Sequence, residues 1–84
     1  MSDTREALGS FLADLRKGRS LTQEAVVKSL NGTKLRAISR VSEVERGVRK
    51  LEAGELEALL RLYGASEADA RTARDLAVAV VEDR

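Results

Sequence analysis

The chain contains no histidine, cysteine, proline or tryptophan, and one residue each of methionine, tyrosine and phenylalanine. Without cysteine there are no disulfides and no thiolate metal sites, and without histidine the commonest metal ligand and acid–base group is missing. The remaining carboxylates are scattered over helix faces, so no catalytic residues, no metal and no cofactor are expected, and the chain is not read as an enzyme. No apolar run approaches the roughly 18 residues that would span a membrane. The start, Met1-Ser2-Asp3-Thr4-Arg5, shows no basic-then-apolar signal pattern. A cytoplasmic protein with no membrane partner is the expectation. The absence of proline, of internal repeats and of low-complexity tracts leaves the helical patterns uninterrupted.

Eighty-four residues suffice for one modest core, so residues 1–84 are read as a single domain. An apolar fraction of 43% beside 35% charge marks it as globular, not disordered. The net charge of +1 conceals a strong segregation. Residues 1–15 carry a net of −2 and residues 51–84 a net of −4, whereas residues 16–50 hold ten Lys/Arg against three Glu, a net of +7. A one-sided field of this kind suits a nucleic-acid binder, whose basic face meets phosphates. Arg outnumbers Lys eleven to four and Ala is abundant, the composition of a GC-rich bacterial genome.

Periodicity predicts five helices and an all-α bundle. The first runs from about Thr4 to Lys17, with Ala7, Leu8, Phe11, Leu12 and Leu15 on its apolar face and Gly18 in the left-handed position that ends it. Phe11 reads as a core anchor. Thr22 caps a second helix, with Leu21 and Val26 as a hydrophobic staple and Ala25, Val26, Ser29 and Leu30 inward. Asn31-Gly32 signals a turn. A third helix spans residues 33–46, directing Leu35, Ile38, Val41 and Val44 to the core. The fourth covers residues 55–63, ended by Gly64, and Ser66 with Asp69 opens the fifth, residues 66–82.

With that face of helix three inward, Lys34, Arg36, Ser39, Arg40 and Glu43 lie outward. An arginine can pair bidentately with guanine, and lysine or serine can reach a base edge or a phosphate. Arg16, Lys17, Arg19, Lys28, Arg46, Arg49 and Lys50 flank that helix and suit phosphates, which fix position without reading sequence. Thr22 and Gln23, at the start of helix two, offer free backbone N–H groups to a phosphate. Any one of these is also an ordinary solvated residue; the case rests on the set.

Several motifs stand at the right order and spacing: Leu8-Gly9 with Leu12 and Leu15, Leu21-Thr22-Gln23-Glu24, Val41 to Gly47, Glu55-Leu56 with Leu59-Leu60, and Tyr63-Gly64. Together they resemble the XRE-type, lambda-repressor-like helix-turn-helix domains abundant in actinobacteria, over about residues 6–77. The resemblance implies a five-helix lambda-repressor-like bundle containing a helix-turn-helix, with its core in about residues 4–64. It implies double-stranded DNA as partner, Gln23 on a phosphate, and the early residues of helix three on bases. Three departures stand out. Ten residues separate Leu30 from Val41 where the family usually has six. Counting back from Gly47 then makes Ala37, Ile38, Ser39 and Arg40 the base-reading set, whereas counting forward from Leu30 makes it Thr33, Lys34, Leu35 and Arg36. An apolar Ile38 on the DNA face is awkward, which favours a longer helix using Lys34, Arg36, Ser39 and Arg40. Glu43 replaces the family's arginine; it either accepts from a cytosine amino group or pairs with Arg40 or Arg46. Ala53-Gly54 replaces a serine–proline start, leaving helix four without its usual cap.

The segment Leu76-Ala77-Val78-Ala79-Val80-Val81 is apolar all round, more than one core-facing stripe needs. It is either a helix tucked between others or a self-association surface, with Leu76, Val78, Val80 and Val81 at a homodimer contact. Its β-branched content also permits a strand paired across that dimer. The expected function is a sequence-specific regulator, a repressor, reading the major groove with helix 33–46. The alternative is a protein-interaction module on the same fold, an antitoxin or accessory factor with a protein partner.

Overall fold

A computed structural model describes residues 3–30, 38–47 and 51–82, the side chains of Asp3 and of residues 80–82 excepted. Among the described residues there are five helices and no strand. Helix α1 (Asp3–Gly18) buries Leu8 and Leu12 and leans Phe11 and Leu15 on the core. Ala7, expected on that face, is exposed, because it lies at the edge of the stripe.

The end of α1 corrects one expectation. Gly18 remains helical, and the left-handed residue is Ser20, at φ 58°. The Leu21 N–H donates to Arg16 O at 3.1 Å and the Ser20 N–H to Lys17 O at 2.9 Å, the paired bonds of a Schellman stop. A side chain in that conformation costs roughly 1 kcal/mol relative to glycine. Ser20→Gly is therefore expected to raise Tm by a few degrees in a thermal melt.

Helix α2 (Gln23–Ser29) starts at Thr22, whose Oγ1 accepts from the Ala25 N–H at 3.1 Å. Val26 is fully buried, Leu30 is buried and Leu21 is half-buried, all three part of the core. Ser29 is exposed and Val27 takes the inner position expected for it. Helix α3 (Ile38–Glu45) buries Val41 and Val44. Ile38, expected inward, is 47% exposed. Of the expected helix over 33–46, residues 33–37 lie outside the described residues, and Arg46 and Gly47 form the closing turn.

Helix α4 (Ala53–Leu62) begins two residues earlier than expected and is capped after all. Glu52 and Glu55 form a reciprocal capping box, in which the Glu52 N–H donates to Glu55 Oε1 at 3.0 Å. The family's serine is absent, yet a glutamate pair three residues apart does the same work. Leu56, Leu59, Leu60 and Tyr63 are buried, and Gly64 at φ 62° closes α4 with a second Schellman stop, Ala65 N–H to Leu60 O at 3.0 Å.

Helix α5 (Glu67–Glu82) opens with Ser66 Oγ accepting from the Asp69 N–H at 3.1 Å. It packs along α1 and buries Ala70 and Ala73. The strand alternative for the C-terminal segment falls, since residues 76–82 continue α5 without a break.

Two glycines fix α3 against α1. A methyl group on Gly9 would collide with Val44 O and stand 2.6 Å from Glu45 O. One on Gly47, which also needs its φ of 75°, would stand 2.7 Å from the Glu6 Cα. Backbone therefore meets backbone where α3 ends, and the pose of α3 follows from that seat.

Candidate nucleic-acid interface

The carboxylate of Glu45, in the last turn of α3, gathers α1 and α2. Arg16 on α1 donates to it from Nε to Oε2 at 2.7 Å and from Nη2 to Oε1 at 3.2 Å. Gln23, the first residue of α2, donates from Nε2 to Oε1 at 2.9 Å. The third arm of Arg16 donates from Nη1 to Leu21 O at 2.7 Å, tying down the loop before α2. With side chains only 12% and 9% exposed, Arg16 and Glu45 form a bidentate, largely desolvated pair. The Glu45 hydrogen bond holds the Arg16 pKa above its usual value. Burial, then the nearby Glu45 charge, also raises that of the Tyr63 hydroxyl. Arg16 was expected among the phosphate contacts; its donors are committed inside the protein.

The remaining candidates fall into three groups. Ser39 is exposed and Arg40 half-buried at the start of α3, and Glu43 is half-buried one turn on. Neither Arg40 nor Arg46 pairs with Glu43, and Arg46 instead donates from Nε to Ser42 O at 3.4 Å. Around the α2 start, Thr22 is exposed and spends its hydroxyl on the cap, while Gln23 is half-buried and turned toward Glu45. Lys28 is exposed, 3.7 Å from Glu24 in a solvated i,i+4 pair that contributes little. Arg19 is exposed and lays its guanidinium over Gly64, where an added methyl would stand 3.3 Å from its Cζ. Arg46 is exposed. Lys34, Arg36, Arg49 and Lys50 lie outside the described residues.

Reasoning from sequence missed the Glu45 junction and the exposure of Ile38. A signal for Glu45 was present, since it closes the Val41–Gly47 motif, but its partner Arg16 is 29 residues away.

The layout is α2 packed on α3, with Ser39 exposed on α3 and α1 packed on α3 and tied by Arg16 to the loop before α2. A family model described as "Helix-turn-helix domain" matches residues 7–79. The chain belongs to the helix-turn-helix domain family. Neither the curated proteins nor the solved structures yield a match. In such a DNA-binding domain the second element braces the next, whose N-terminal turns enter the major groove. Here the Arg16–Glu45–Gln23 junction ties α1 and α2 to the end of α3. No helix among the described residues is long and apolar enough to cross a membrane.

Proposed function

We propose that this helix-turn-helix domain is a sequence-specific transcriptional regulator of XRE type, a bacterial, cytoplasmic repressor that binds operators as a homodimer. The observation that carries the reading is α3, held by Glu45 to both neighbouring helices while Ile38 and Ser39 stand in solvent and Arg40 is half-buried beside them. A rigid rod with a free outward face satisfies the requirement for groove reading, that the reading groups be placed by the scaffold before contact. Ser39 and Arg40 are proposed base contacts, since counting back from Gly47 puts both in the reading set and Ser39 is exposed. Lys34 and Arg36, just upstream, are proposed to extend that set. Arg19, Thr22, Gln23, Lys28, Arg46, Arg49 and Lys50 are proposed to meet phosphates. For Gln23 the second amide hydrogen and the α2 N-terminus are the groups available.

The dimer is proposed to form around α5. Val78 is 56% exposed and lines, with Leu51, Ala53, Leu56 and Ala77, an apolar groove of about 270 Å³. On the groove rim Arg74 pairs with Glu57, Nε to Oε2 at 2.7 Å and Nη2 to Oε1 at 2.8 Å. An exposed apolar groove bordered by a solvated ion pair is a patch that a second copy can cover about a two-fold axis. Leu76 supports the patch from its core side, and Val80 and Val81 are proposed to continue it. Two α3 helices would then sit about one DNA turn, ~34 Å, apart.

Selection of bound fragments from random duplexes, with sedimentation at tens of micromolar, tests both parts. A palindromic site and a dimer are expected. Recovery of unrelated sequences overturns specific reading, and a monomer in the presence and absence of the site overturns the dimer.

A further inference from the structure

Ile38 is the one large apolar side chain of α3 that the core does not take up. It is 47% exposed, whereas Val41 and Val44, on the adjoining turns, are 2% and 5% exposed. It stands at the first described position of α3, beside exposed Ser39. If α3 is the groove-reading helix, as proposed above, its N-terminal part enters the major groove, and counting back from Gly47 places Ile38 in that part. There the base edges present donors and acceptors, with a single apolar exception, the C5-methyl of thymine. An isoleucine offers no hydrogen bond, so against a polar edge it would strip water and return nothing. Against a methyl it gains by removing apolar surface from water. Its β-branch holds χ1 to few rotamers, so the contact is placed with little loss of freedom.

We propose that Ile38 is a specificity-determining residue that recognises a pyrimidine C5-methyl group. The ligand class is thymine and, by the same chemistry, 5-methylcytosine. The proposal rests on the DNA reading and fails separately from it.

The test uses the full chain and the duplex that selection recovers. Replacing thymines one at a time by uracil deletes the methyl and leaves every hydrogen-bonding edge intact. One position in each half-site should lose about fourfold in affinity, the worth of one buried methyl. At that position a cytosine–guanine pair should gain about fourfold on cytosine methylation. Ile38→Ala should bind methylated and unmethylated duplexes alike, and Ile38→Val should restore most of the difference. Circular dichroism checks that both variants fold, which the exposure of Ile38 favours, and the wild-type scans stand without them. If folded wild type binds a selected site with no methyl dependence at any position, or Ile38→Ala keeps the dependence, the Ile38 assignment is overturned while DNA reading stands. Failure of the wild type to bind any duplex overturns both.

Discussion

Gly9→Ala should destabilise the domain by about 2–3 kcal/mol, the range of an overpacked core, and lower Tm by roughly 10–20 °C. The sign is what makes the result informative. In an exposed helix interior the same change stabilises by up to about 1 kcal/mol, because alanine loses less backbone entropy on folding. At Gly9 that gain is overwhelmed, since the new methyl meets the carbonyl oxygens of Val44 and Glu45, which are backbone and cannot rotate aside. The α1–α3 seat would have to open. Gly54, in the first turn of α4, is the control: a methyl there meets nothing within 4 Å, and its φ is not positive. Gly54→Ala is expected to raise Tm by a few degrees. Chemical or thermal unfolding of the two variants checks the pair, and a stabilised Gly9→Ala would show that the helices are not seated as described.

Glu45→Ala is the second large effect. It leaves Arg16, nearly buried, with Leu21 O as its remaining acceptor and strips Gln23 of its own. Removing one partner of such a pair costs about 3 kcal/mol, because the surviving charge stays out of water unpaired. The pair itself is worth less than that figure. The double variant Arg16→Ala/Glu45→Ala should therefore be more stable than the sum of the single losses by about 1–2 kcal/mol. The effect on DNA separates two accounts. If Glu45 were only a negative charge near phosphates, removing it would tighten duplex binding. If it sets the angle of α2 to α3, removal weakens binding even at temperatures where the variant is fully folded, which is the outcome expected here.

Much of this architecture is local information. Leu8, Leu12, Val26, Val41, Val44, Leu56 and Leu59 announce their helices by spacing, and Gly64 announces the end of α4, because each signal is complete within a turn or two. What spacing cannot convey is whether another element reaches a given position. Ile38 shares the stripe of Val41 by periodicity, yet it stays 47% exposed, with none of the described helices burying it. Ser20 rather than Gly18 takes the left-handed turn because α1 continues through Gly18, so the stop falls two residues later than glycine placement suggests. Glu52 and Glu55 cap α4 without the residues the family favours, since the requirement is an acceptor near free N–H groups and not a particular side chain. The Glu45 junction is the deepest case. Its three members, Arg16, Gln23 and Glu45, each look like surface charge or polarity in sequence and become a half-buried knot only when three helices converge.

Operator reading requires α3 to present its outward face to a duplex within a basic frame. Affinity for the selected duplex, measured by fluorescence anisotropy from about 50 to 200 mM salt, tests this directly. If several of the proposed phosphate contacts form, log K should fall linearly with log salt, each neutralised phosphate adding about 0.9 to the slope. Binding that ignores salt, or no duplex binding by the folded chain, would contradict it.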